Sequence, residues 1–322
     1  MRTSRVIKWI ALSLPVLLLV AVSFVIISSY LEHRELVEQE MENYPAPGVL
    51  VDVNGDGKKL HVYTKGEGAE TLVFMSGLGT PSPVYDFSVL YDRLSEDYRI
   101  AVVERAGYGW SNITAGPRNI DTVLEETRKA LELAGEGPPY VLFPHSMAGL
   151  ESVYWASLYP QEVQAIIGLD ALVPGYIEQA EEGPSLSPAI TFLTRTGLVR
   201  TQPGVFEKNF HAMRKGHLSA EEAEVARTIF FRRVQTKNMY QEVEALRTND
   251  RIVSAQGKPD VPFHAFVSSR NEDPQWMESI TSYAEATGGD SFVLDGDHYI
   301  HLDYPEIISE KSREIIVKAR EE

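Results

Sequence analysis

The chain has 322 residues, with 30 Lys and Arg against 46 Asp and Glu, a formal net charge of −16 and no cysteine. Disulfides, thiolate metal sites and a cysteine nucleophile are thereby excluded, and the acidic excess argues against a nucleic-acid partner, whose phosphates call for Lys and Arg. A hydrophobic content of 43 % is ordinary for a folded protein and predicts one large domain or two small ones.

From Trp9 to Tyr30 the chain runs 22 residues without a charge, enough to cross a hydrocarbon core of roughly 30 Å as a helix. Arg2, Arg5 and Lys8 precede this stretch. Glu32, Glu35, Glu38, Glu40 and Glu42 follow it, opposed only by Arg34. The positive-inside bias then leaves residues 1–8 in the cytoplasm, 9–30 in the membrane and the remainder outside. A cleaved signal peptide is the rival reading, but its apolar core would be unusually long and no clear A-x-A site precedes the acidic stretch. A cysteine-free exported chain hints at a bacterial surface protein. Residues 31–46 read as a charged helical stalk broken by Pro45 and Pro47, so the folded domain is expected over 47–322.

Beyond Pro47, short β-branched runs alternate with helical stretches. Val49–Val53 and Leu60–Tyr63 flank Asn54-Gly55-Asp56-Gly57, a hairpin signal. The runs Thr71–Met75, Ile100–Val103, Tyr140–Phe143 and Val163–Leu169 are continuous and apolar, as strands buried on both faces should be. Helical patterns lie between them at about 84–96, 120–134 and 149–158. This alternation predicts an α/β fold with a doubly wound, mostly parallel sheet. It lapses from about 173 to 259, a helical insertion opened in part by the capping box Ser219-Ala220-Glu221-Glu222. It returns with strands at 261–267 and 291–294, a helix at 274–287 and a closing helix from 305. An insertion at that point forms a cap over the sheet's C-terminal edge, where ligands bind.

The third of the buried runs leads through Pro144-His145-Ser146-Met147-Ala148 directly into a helix. A serine on such a turn is pushed clear of the sheet, with the free amides of a helix N-terminus behind it. The usual pattern is G-x-S-x-G; Ala148 fits its last place, whereas Pro144 departs from its first. Ser146 is therefore either a nucleophile or a helix N-cap. Ser76-Gly77-Leu78-Gly79 ends another buried run, and its Leu78 amide, beside that of Met147, could hold a developing oxyanion. Of eight histidines, His298 lies in a turn after the last strand, where a general base is needed. His301 is a near competitor, and His145 should point away from Ser146.

These motifs together resemble the α/β-hydrolase fold family over about residues 48–320. Glu104-Arg105-Ala106-Gly107-Tyr108-Gly109-Trp110-Ser111 resembles the family's (D/E)-R-x-G-x-G-x-S segment, and Gly296-Asp297-His298 its histidine loop. The resemblance implies Ser146 as nucleophile, His298 as base and the amides of Leu78 and Met147 as oxyanion hole. It implies neither metal nor organic cofactor. In most of the family the acid follows the strand at 261–267, where this chain has Asn271-Glu272-Asp273. Asp170, after the preceding strand, is used instead by some lipases of the fold, and it ranks first, ahead of Asp273 and Glu272. The family's dehalogenases and epoxide hydrolases carry Asp where Ser146 stands.

A carboxylic ester or related acyl compound is the expected substrate. Ile190, Phe192, Leu193, Leu198, Val199, Phe206, Phe210 and Met213 would give the cap an apolar underside. Glu178, Glu181 and Glu182 could instead meet a substrate amine, as in the fold's proline-type aminopeptidases. A ligand-binding member without catalysis is the third reading, favoured by Pro144 and Asn271. The sequon Asn112-Ile113-Thr114 matters only on a eukaryotic secretory route.

Overall fold

The computed structural model describes residues 2–180, 183–271 and 273–321, with side chains from residue 13. Helix α1 (Arg2–Asn43) takes in the apolar stretch and the charged residues after it, with Pro15 inside. Leu14, Leu17, Leu18, Phe24 and Ile27 are all more than half exposed, an apolar surface that water alone would not favour.

The folded part contains β1 (Val49–Asp52), β2 (Lys59–Lys65), β3 (Thr71–Met75), α2 (Pro83–Asp86), α3 (Ser88–Leu94), β4 (Arg99–Glu104), α4 (Ile120–Ala134), β5 (Tyr140–Pro144), α5 (Ala148–Leu158) and β6 (Val163–Leu169). Among the described residues six α-helices follow as the insertion, α6 (Tyr176–Gln179), α7 (Pro188–Arg195), α8 (Val205–Asn209), α9 (His211–Arg214), α10 (Ala220–Arg233) and α11 (Lys237–Ala255), with a 3-10 turn at Leu198–Thr201 between α7 and α8. The chain closes with β7 (Phe263–Ser268), α12 (Pro274–Ala286), β8 (Ser291–Leu294), α13 (Ile300–Asp303) and α14 (Pro305–Glu321). The eight strands form one sheet in the order β1-β2-β4-β3-β5-β6-β7-β8. β2 runs antiparallel to both its neighbours, and every other pairing is parallel.

Side-chain alternation along the strands divides the interior in two. Val73, Met75, Ala101 and Val103 meet α4, α5 and α12 through Leu124, Leu131, Val153 and Ile280. Leu72, Phe74, Ile100, Val102 and Phe143 meet α3 and α14 through Leu90, Leu94, Ile308 and Ile315. Both faces are thus covered, and β3 and β5 are buried at every position. Burying each large apolar side chain contributes about 2 kcal/mol.

Two boundaries differ from the sequence expectation. The helix expected at 84–96 is broken at the buried Phe87 into α2 and α3. The strand expected from Val261 begins at Phe263, because Pro262 has no N–H for the ladder. The capping box at the start of α10 forms as expected: Ser219 Oγ accepts from the Glu222 amide, and the Glu222 carboxylate from the Ser219 amide.

Candidate active site

β5 ends at Pro144, and His145 continues beside the sheet by donating its amide to the Met75 carbonyl at 2.9 Å. Ser146 then turns at φ +53°, a left-handed conformation that few non-glycine residues adopt. α5 follows at once, and its N-cap is Met147, not Ser146. Two glycines allow the turn to close. A Cβ on Gly77 would lie 2.7 Å from Ser146 Cβ, and one on Gly149 would lie 2.1 Å from the Leu172 carbonyl oxygen. The Pro144 departure is absorbed because the proline occupies the strand's last place.

β6 and β7 are parallel neighbours, and Asp170 leaves the end of β6 at φ +48°. Its buried carboxylate accepts from the Ser268 amide and the Ser268 hydroxyl, both at 2.9 Å. The same carboxylate lies 2.6 Å from His298 Nδ1. His298 is about one-third exposed and packs edge-on to Trp276. Asp273 is engaged elsewhere: it caps α12 through the Gln275 amide and accepts from the Tyr176 hydroxyl. Glu272, the other carboxylate weighed from sequence, lies outside the described residues, as do Glu181 and Glu182.

The remaining histidines of this region are structural. His301 Nε2 faces the buried Asp86 at 3.2 Å. His145 is buried beneath His298 and donates Nε2–H to its carbonyl at 3.1 Å. Burial holds the His145 pKa well below the ordinary range, and the neighbouring His298 and His301 add to this, so the ring is neutral.

Leu78, Ser146, Met147 and His298 line one cavity of about 280 Å³, together with Leu172, Tyr176, Asn271 and Trp276. The Leu78 and Met147 amides have no backbone acceptor among the described residues. The loop bearing Leu78 is held from behind. Arg105 donates to the carbonyls of Ser76 and Gly77 at 2.6 and 3.4 Å and to Glu242 of α11 at 3.0 Å. Tyr108 donates to the other Glu242 oxygen. Burial opposes the Arg105 charge, but Glu242, Tyr108 and Glu151 outweigh it and raise its pKa.

The rest of the Glu104–Ser111 motif has equally local causes. The buried Glu104 carboxylate accepts from the Trp110 amide at 2.7 Å and contacts His61 Nδ1 at 2.9 Å. A Cβ on Gly109, at φ +47°, would fall 1.7 Å from that carboxylate. Arg105 could be read as notable from its motif. Glu242 could not, because a lone acid on an amphipathic helix carries no such signal.

The apolar cap underside expected from sequence forms in part. Val199, Phe206 and Phe210 are buried, whereas Ile190 and Phe192 stand exposed. Phe192 is therefore corrected from an underside residue to a surface one: on a two-turn helix only one face can turn inward, and there Thr194 is buried and Leu193 packs partly buried against the cap core. Glu178 pairs with Arg251 at the surface, 3.0 Å away, not with the cavity.

Comparisons with known proteins agree with this architecture. A family model described as the alpha/beta hydrolase fold matches residues 70–314. The protein YbdG of Bacillus subtilis (strain 168) is 35 % identical, with 98 % of each chain covered. A carboxylesterase structure from the thaumarchaeon Nitrososphaera gargenis superposes with a TM-score of 0.60 at 18 % identity, covering 85 % of this chain and 99 % of its own. A proposed epoxide hydrolase from Pseudomonas aeruginosa gives 0.64 at 17 %, covering 85 % and 96 %. At such identities the two structures speak for the fold alone. With the family model spanning most of the folded part and a relative aligned from end to end, the chain belongs to the α/β-hydrolase fold family.

Proposed function

We propose that the protein is a serine hydrolase that cleaves carboxylic esters through an acyl-enzyme on Ser146. One observation carries this reading: His298 is fixed at 2.6 Å to a buried carboxylate and lines the same cavity as a serine on a left-handed turn. In this mechanism Ser146 Oγ attacks the ester carbonyl carbon while His298 Nε2 takes its proton. Asp170 accepts the Nδ1–H, which fixes the tautomer and stabilises the imidazolium. The oxyanion lies between the amides of Leu78 and Met147, each worth about 3 kcal/mol in the transition state. As the carbon–oxygen bond to the leaving group breaks, His298 returns the proton to the departing alcohol. Water, deprotonated by the same histidine, then attacks the acyl carbon, and Ser146 recovers its hydrogen as the acid departs.

A serine at this turn suits acyl transfer better than epoxide opening, for which the family carries Asp in that place. Ser146→Ala is expected to lower kcat on p-nitrophenyl butanoate by about 10⁶-fold. Unchanged turnover in the folded variant would overturn the proposal.

We further infer that α1 anchors the chain in a membrane. From residue 13 on most of its apolar stretch stands exposed, and the flanking charges favour a cytoplasmic side for Arg2, Arg5 and Lys8.

A further inference from the structure

A second cavity, of about 310 Å³, lies beneath the cap, walled on the cap side by Ile190, Leu193, Val199, Phe210 and Phe230. Consecutive residues line the two cavities: Leu78 and His298 the first, Gly79 and Tyr299 the second. Its floor is polar. Asp86 faces His301, and the His211 ring stacks on Tyr299 with centroids 3.5 Å apart. What the cap wall offers a ligand is mostly apolar surface, with Gln202, Asn209 and Gln235 set among it.

That wall is also fastened to α1. Among the described side chains of α1, Ser23, Ile26, Ser29, His33, Leu36, Val37 and Glu40 are half-buried, and their recurrence at three and four residues marks one helix face. Ser29 Oγ donates to the carbonyl of Thr196 at 2.8 Å, and Thr196 is the C-cap of α7. Arg200 donates to His33 Nδ1 at 3.0 Å and to both Glu40 carboxylate oxygens at 2.7 and 2.8 Å. Between them, Gly197 comes so close that a Cβ there would lie 2.4 Å from His33 Cβ.

These contacts fix α7 beside the last turn of the Trp9–Tyr30 stretch. If that stretch spans a hydrocarbon core of roughly 30 Å, α7 lies at headgroup level. It is there that α7 exposes Ile190 (41 %) and Phe192 (47 %), side chains suited to an interface. Ile190 lines the second cavity as well, so the exposed patch and the apolar wall are continuous.

We propose that α7 rests in the membrane interface and admits the acyl chain of a membrane lipid into the second cavity, with the lipid's ester at Ser146. The proposal rests on the ester-hydrolase reading above and adds to it the substrate class and its route of entry.

The absence of native cysteine gives a direct test. Full-length chain carrying Phe192→Cys or, on α4, Glu125→Cys would be labelled with an environment-sensitive fluorophore and reconstituted in phosphatidylcholine vesicles. The label at 192 should emit as in an apolar medium and be quenched by spin-labelled lipid, and the label at 125 should not. In parallel, Leu193→Trp should lower the ratio of kcat/KM on dodecanoyl over butanoyl esters by about tenfold, since a few methylenes are then refused. Water-like emission at 192, or an unchanged ratio, overturns the proposal while leaving Ser146-dependent hydrolysis in place. Hydrolysis that persists in Ser146→Ala overturns the hydrolase reading and this proposal with it.

Discussion

An Asp170→Asn protein is expected to fold normally yet lose about 10⁴-fold in kcat on short-chain esters. The side chains are the same size, and an asparagine carbonyl can still accept from the Ser268 amide that Asp170 Oδ1 accepts from at 2.9 Å. What changes is the face toward His298 Nδ1, now 2.6 Å from a carboxylate oxygen. An amide NH₂ there donates where the carboxylate accepted, and so favours the tautomer protonated at Nε2. That histidine cannot take the Ser146 proton. Asp273→Asn is the control. Asparagine caps a helix as well as aspartate, so the cap of α12 survives and kcat should stay within about twofold. The measurement is steady-state kinetics on both variants, with urea unfolding to verify the fold. A large loss in Asp273→Asn with none in Asp170→Asn would reassign the acid.

The second large effect concerns the buried pair beneath the oxyanion loop. Arg105→Met removes the donor to the Ser76 and Gly77 carbonyls and leaves Glu242 buried without its cation. Breaking such a pair from one side costs about 3–5 kcal/mol of stability. In Arg105→Met/Glu242→Leu the Glu242 charge is no longer stranded, although buried Glu151, 3.8 Å from Arg105, still loses that cation, so only part of the loss should return in urea unfolding. Activity should not return. The Leu78 amide depends on the loop that Arg105 tethers, and a misplaced oxyanion donor lowers kcat by about 10²-fold or more. Stability and kcat should therefore separate in the double variant. If kcat recovers together with stability, Arg105 serves folding alone and has no part in positioning the loop.

The sheet was legible from sequence because strands buried on both faces must be continuous apolar runs. Tyr140–Phe143 and Val163–Leu169 could be located within a residue of their observed ends. The helical insertion could be located but not arranged. Its helices pack through contacts far apart in the chain, such as Arg105 with Glu242, for which periodicity provides no sign. The same limit applied to the acid. Asp170 and Asp273 each follow a strand, and those strands are neighbours, so chain position alone brings both toward His298. The distinction lies in local bonding: Ser268 holds Asp170 inward, while Gln275 and Tyr176 hold Asp273 at the start of α12. Phe192 was misjudged because any apolar residue on a cap helix reads as inward until the neighbouring helix is known.

A fluorophosphonate tests for a covalent acyl-enzyme on Ser146 most directly, because the probe reacts with a serine activated by its base. The full-length chain would be treated with the probe, digested and analysed by mass spectrometry. One adduct is expected, on the peptide containing Ser146, absent in Ser146→Ala and formed far more slowly in Asp170→Asn. A folded chain that takes up no probe, or takes it up at another residue, would contradict the acyl-enzyme on Ser146.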